Sequence, residues 1–209
     1  MGLLDSVSFV FDQSERPYHH GDLKRALIET AQQMLGEGDG WQFTLREVAR
    51  RAGVSHAAPY KHFADKTALL AEIALSGYQQ LRGDLLAVLT QRLPSPRAEF
   101  LAIAKAYMAF AFSNPALYRL MFSSDLNENE NRELKEASRA TFEVLLRILT
   151  HGQELGVFKA GPLQGQAAAC WALVHGLTTL ELDRQLAPDT VGERPVDAAL
   201  QCLLEGIAT

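Results

Sequence analysis

The stretch 44–63, TLREVARRAGVSHAAPYKHF, gathers hydroxyls, imidazoles, an ammonium and guanidinium groups within a few turns of chain. Such groups suit recognition of a charged, hydrogen-bonding partner rather than bond making. Catalysis would need a nucleophile with its base, a metal set or a phosphate loop, and the chain carries no GxSxG, HExxH or CxxC pattern. The glycine cluster Gly36 to Gly40, GEGDG, lacks the Gly-Lys-Ser/Thr that cradles phosphate and reads as a flexible turn. His19, His20, His56 and His62 have no cysteine or carboxylate set to complete a ligand count. Cys170 and Cys202 show no metal spacing and read as small buried apolar residues. The expectation is therefore no catalytic residue, no metal and no cofactor.

These side chains need two short helices to hold them. Leu45, Val48, Ala49 and Ala52 recur at helical spacing, Thr44 can cap the helix they form, and Gly53 suits the stop that follows. Ser55 can cap a second helix, with Val54, Tyr60 and Phe63 pinning it to its surroundings. The pattern is a helix-turn-helix, whose second helix lies in a DNA groove. Pro59 falls just past the first turn of that helix, so a short or slightly distorted recognition helix is expected.

The rest of the chain reads as helices that position this piece. Residues 20–35 place Leu23, Leu27 and Ala31 on one face. A longer helix, capped by Asp65, runs toward Leu89 and links the two parts of the molecule. Helices are expected over 97–112 and, with Asn114 as cap and Pro115 as first residue, to about 122. Further helices follow over 132–155, 163–186 and 196–207, the first of these ended by Gly156. The last two carry apolar residues on more than one face, which suggests a subunit interface. No alternating strand pattern occurs, so the fold should be all-α.

Composition sets the outer bounds. The 209 residues are 47% hydrophobic, and 20 basic against 25 acidic residues give a net charge of -5. No global basic field draws the chain to nucleic acid, so a DNA contact must be local. No apolar stretch is long enough to span a bilayer and the start lacks a secretory pattern, so a cytoplasmic protein is expected. MGLLDS fits the N-myristoylation pattern, which is short and reads as chance here.

The run Ala52 to Leu70, AGVSHAAPYKHFADKTALL, resembles the DNA-binding segment of the TetR family of bacterial repressors: an Ala-Gly-Val-Ser turn, then Tyr-x-His-Phe, a lysine and a leucine pair. The resemblance spans Tyr18 to about Leu75, and Pro59 departs from it by standing where the family usually has an aliphatic residue. WALVHGL, Trp171 to Leu177, resembles the W-x3-H-G signature of the C-terminal domain of one TetR-type subgroup. Trp171 and His175 share a helix face, and Gly176 permits close approach of another helix. They either line an effector pocket or form a structural tryptophan with a hydrogen-bonded core histidine.

By the resemblance, Thr44, Ser55, Tyr60 and Lys66 would bind backbone phosphates. Arg46 and His56 would read bases, flanked by Lys61 and His62, with Ala57 and Ala58 offering apolar contact. Arg50 and Arg51 read as a solvated helix face. The chain would divide into an arm at 1–17, a helix-turn-helix domain at 18–64 and a ligand-binding and dimerisation domain at 65–209. It would act as a homodimer through helices 163–186 and 196–207 on a palindromic operator in double-stranded DNA. A small apolar or aromatic effector would be held by Tyr107, Met108, Phe110, Tyr118, Met121, Phe142, Trp171 and His175. The competing reading is an architectural or adaptor protein that binds DNA without a small-molecule switch.

Overall fold

A computed structural model describes residues 20–37, 40–126 and 131–208; the arm expected at 1–17 lies outside them, as do His19 and residues 127–130 of the expected loop. Helices α1 (His20–Glu37), α2 (Leu45–Arg51) and α3 (Lys66–Leu89) come first, with a 3-10 turn at Pro59–Lys61 between the last two. Then follow α4 (Pro96–Ser113), α5 (Pro115–Met121), α6 (Arg132–Glu154), α7 (Leu163–Leu182), α8 (Pro188–Val191) and α9 (Pro195–Ile207). Among the described residues no strand forms, and one antiparallel bridge joins Phe158 to Ala208. The fold is all-α, as the sequence implies.

Local chemistry sets the helix ends. Asp65 accepts from Ala68 N, Ser95 from Ala98 N and Asn131 from Leu134 N, each supplying a partner to an amide that the helix start leaves unpaired. Asn114 stands at the expected cap position of α5, where its O accepts from Tyr118 N at 2.8 Å, but its side chain makes no capping bond. Its Nδ2 donates back to Phe110 O at 3.0 Å and so closes the end of α4. Gly156, at φ 67, ends α6 as expected. The helix expected to run to 186 stops at Leu182, because Arg184 takes a positive φ of 55 and Gln185 N turns back to Leu180 O.

α3 is the axis of the molecule. It buries Leu69, Ile73, Ala74, Tyr78, Leu81 and Leu85, and packs against α1, α4, α5 and α6. Those buried positions lie on both sides of the helix, which fits an element with neighbours all round. At Gly77 an added methyl would meet Met121 Sδ at 2.6 Å, so the absence of a side chain lets α5 lie close on α3. α7 packs on α4, α6 and α9. Cys170 is buried, but Cys202 is exposed on α9, against the expectation that both are interior.

Candidate functional site

α2 starts at a reciprocal cap. Thr44 Oγ1 accepts from Glu47 N at 3.2 Å, while Glu47 Oε2 accepts from Thr44 N at 2.7 Å and from Thr44 Oγ1 at 2.9 Å. The Thr44 backbone amide holds the Glu47 carboxyl below its usual range, followed by the Thr44 hydroxyl. The proton of Thr44 Oγ1 is thus already given to a carboxylate, and a phosphate arriving there must displace it. Arg46 and Arg50 are exposed, and Arg51 pairs with Glu37, in keeping with a solvated face for the last two.

Gly53 makes the turn at φ 70, and Val54 N returns to Ala49 O at 3.0 Å. Beyond it, no regular recognition helix forms. Ala58 N bonds Ser55 O at 2.9 Å, Lys61 N bonds Ala58 O at 3.2 Å and His62 N bonds Pro59 O at 2.9 Å, a succession of tight three-residue turns. Pro59 supplies the reason. It has no N–H to offer Ser55 O, so the amide of Ala58 takes that acceptor one residue early and winds the chain more tightly.

This winding sorts the proposed contact residues. Ser55, His56, Ala57, Tyr60 and Lys61 are exposed, as are Thr44 and Arg46. Ala58 is 7% exposed within the core and offers no surface to DNA, which corrects its expected role. Tyr60 is 53% exposed, so it does not pin the segment; buried Pro59 and Phe63 do. His62 is half-buried, and its Nε2 has no partner. Lys66, also half-buried, opens α3 with Nζ 5.6 Å from the centre of the Phe43 ring.

At the other end of the molecule α3, α4, α6 and α7 enclose a cavity of about 450 Å³, a size ordinary for small-molecule sites. Three of the expected ligand residues line it: Tyr107, Phe142 and Trp171. The other five do not. On α4 the lining face is Phe100, Ile103, Ala104 and Tyr107, at helical spacing, which turns Met108 and Phe110 elsewhere. Met121 is packed on Gly77. Tyr118 and His175 stand behind Tyr107 as a hydrogen-bonded cluster: His175 Nδ1 lies 2.8 Å from Tyr118 Oη and 2.9 Å from Tyr107 Oη, and the two hydroxyls are 3.3 Å apart.

The sequence reading missed the contribution of α3 and, apart from Phe142, that of α6. Tyr78, Leu81 and Leu85 come from α3, and Lys135, Ser138, Arg139, Thr141, Phe142 and Leu145 from α6. The second set repeats at helical spacing and passes from basic to apolar along the helix, a pattern visible in the sequence.

The inner wall is electrically quiet. Burial pushes the Tyr107 hydroxyl well above the usual phenol range, raises that of Tyr118 and draws His175 below its own. The Cys170 thiol, also lining the cavity, is pushed up to about 11 by burial, so it is protonated and unreactive at neutral pH. A consistent hydrogen-bond assignment has Tyr107 donating to Tyr118 and Tyr118 donating to His175 Nδ1, which leaves the imidazole neutral with its proton on Nε2. Among the described residues no group of three or more His, Cys, Asp or Glu could hold a metal. The arrangement can enclose a ligand.

Contacts run from this wall to the segment around α2. Tyr78 Oη donates to Met121 O at 3.0 Å, tying α3 to α5. Trp41 Nε1 donates to Asp125 Oδ2 at 2.8 Å just beyond α5. α1 is fastened to α3 by Lys24 Nζ with Glu72 Oε1 and by Gln32 Nε2 with Ser76 Oγ, both at 2.8 Å.

Comparison with known proteins finds two family matches. Residues 27–73 match the model described as bacterial regulatory proteins, tetR family, and residues 100–206 match that of the tetracyclin repressor-like C-terminal domain. A solved protein of unknown function from Rhodococcus sp. RHA1 is 36% identical, covers 93% of this chain and 100% of its own, and superposes with a TM-score of 0.81. The HTH-type transcriptional regulator BetI of Agrobacterium fabrum is 35% identical over 80 residues, and the match spans 38% of this chain and 38% of that protein. The TetR family transcriptional regulator PfmR from Thermus thermophilus is 21% identical over 86% of this chain and 97% of its own, with a TM-score of 0.64, a likeness of fold.

Proposed function

The chain belongs to the TetR family of DNA-binding transcriptional regulators, and from that premise we propose that it is a repressor that binds a palindromic operator as a homodimer and is released by a small apolar or aromatic effector. The observation that carries this reading is α3. Its first residue, Lys66, adjoins the exposed turn, and about 22 Å further along the same helix Leu81 lines the cavity. A ligand that fits better when the cavity is slightly reshaped would shift the balance between two settings of α3, and with it the spacing of two recognition segments in a dimer.

In this reading residues 18–64 bind DNA and residues 65–209 bind the effector and the second subunit. Thr44, Ser55, Tyr60 and Lys66 meet phosphates, while Arg46, His56, Lys61 and His62 lie toward the bases, with Ala57 in apolar contact. The effector occupies the cavity behind Tyr107, Phe142 and Trp171. Dimerisation through α7 and α9 is supported by Gly165, Ala169, Ala172, Gly176 and Leu180, which recur along α7 outside its buried face. A cytoplasmic location follows from the DNA target; among the described residues no single helix is long and apolar enough to cross a membrane.

The test is binding of the purified protein to DNA from just upstream of its own gene, at fixed moderate salt, against a scrambled control. Protection of one palindrome that weakens on addition of an apolar compound is the expected result. Binding that is indifferent to sequence and lost with salt at every site would replace the regulator by an architectural role.

A further inference from the structure

The cavity's polar groups are unevenly disposed, and that asymmetry bears on what it holds. Deep in the wall the hydroxyls are already engaged. Tyr78 Oη donates to Met121 O, Tyr107 Oη meets Tyr118 and His175, and Thr141 Oγ1 donates to Ala137 O at 2.9 Å. Among the described residues the buried side-chain atoms without a partner are His62 Nε2 and Ser123 Oγ, and neither lines the cavity. A ligand acceptor buried here would lose its water and find these hydroxyl protons already committed, which is costly. The deep part of the ligand must therefore be apolar.

The charged residues that line the cavity are Lys135 and Arg139, both basic, both exposed and one turn apart on α6, with Ser138 beside them. Among the described residues no acidic one is in the lining. Arg139 is paired with Glu143, which accepts from Arg139 Nε at 3.0 Å, and the Arg139 side chain remains 80% exposed. An exposed pair of this kind is weak and uses one of five guanidinium donors, so an incoming anion can share the group.

We infer that the ligand is an amphipathic acid, whose hydrocarbon or aryl body fills the cavity among Leu81, Phe100, Phe142 and Trp171 and whose carboxylate rests at the rim against Lys135 and Arg139. This rests on the cavity being the effector site, and it narrows the ligand class from apolar to apolar with an anionic end. The body supplies affinity through buried area, and the head fixes which end enters.

The test is calorimetric titration of the full-length protein at neutral pH with a homologous series of straight-chain and aryl carboxylic acids, their methyl esters and the corresponding amines. In the wild type the acids should bind about tenfold tighter than the esters, as expected for a charge-assisted contact at a partly wet rim. In a Lys135→Gln, Arg139→Gln double variant the acid should fall to the ester's affinity while the ester is unchanged. Acid and ester binding alike in the wild type, a preference that survives in the double variant, or tighter binding of the amines would each overturn the inference. Operator release, followed by fluorescence anisotropy in parallel, separates the two claims. Esters and acids that bind equally and release DNA refute the head-group assignment alone, whereas an acid preference without release refutes the effector reading alone. No binding by any member of the series refutes both.

Discussion

Replacing Gly152 with alanine sets two effects of known sign against each other. Gly152 lies in the last turn of α6, where alanine is the better helix former by about 0.8 to 1.0 kcal/mol. Its α-carbon, however, faces the Phe158 ring, and a methyl group there would overlap Cδ2, Cε2 and Cγ of that ring. The ring cannot step aside easily. Phe158 is 1% exposed, its N–H is bonded to Gly152 O at 3.0 Å, and the next residue is tied to Ile207 O at 2.7 Å. Forcing a methyl into a filled site costs about 1 to 3 kcal/mol, and expelling the phenyl group instead forfeits about 1.5 to 3 kcal/mol of burial. The balance is a loss of up to about 2 kcal/mol, or a fall in Tm of up to about 8 °C for a chain of this size, where propensity alone would give a rise. Gly83→Ala is the control, since a methyl on that exposed α3 position meets nothing within 4 Å and should raise Tm through propensity alone. Thermal unfolding followed by circular dichroism at one fixed protein concentration reads both. A Gly152→Ala variant that gains as much as Gly83→Ala would refute the packing argument, and with it the view that Phe158 locks the end of α6 to α9.

Three further outcomes follow from the site. Burial draws His175 below its ordinary value of 6.5, so the fold favours the neutral imidazole. Its stabilising contribution is complete above the unfolded pKa and is lost as pH falls through 6.5 toward the depressed folded value. Urea titrations across that window should show wild-type stability declining toward acid, with a shallower decline for His175→Gln, which keeps an acceptor for Tyr118. Arg46→Ala should cost about 1 to 3 kcal/mol of operator affinity and relax preference at one base pair, while Tyr60→Phe weakens all sequences alike; unchanged affinity in both would remove the proposed docking. Among the described residues a methyl at Gly176 meets nothing within 4 Å, so in the proposed dimer this position faces the second subunit. Sedimentation should show weakened dimerisation, and a variant that dimerises as before places the interface elsewhere.

What was legible in the sequence was what short-range chemistry decides. Thr44 and Asp65 cap their helices because a side-chain oxygen reaches an amide three residues on. Gly53 and Gly156 turn the chain where a residue with a β-carbon would be strained. Pro59 was visible too, and with it a short or distorted helix, but not the bonding pattern that the chain adopts there. A missing N–H says that Ser55 O needs another donor, but not that Ala58 N supplies it while Ala58, Pro59 and Phe63 are buried. The cavity shows the same limit on a larger scale. Tyr107, Phe142 and Trp171 were found because aromatic and thioether side chains favour such walls, yet Met108, Phe110 and Met121 satisfy the same criterion and are not in the lining. A helix buried on several sides has no single apolar stripe to point with. α6 is the opposite case: its cavity face begins with Lys135 and Arg139, which resemble surface residues until Phe142 and Leu145 continue the same stripe. A cavity is a property of four helices at once, and only their packing decides which side of each one faces it.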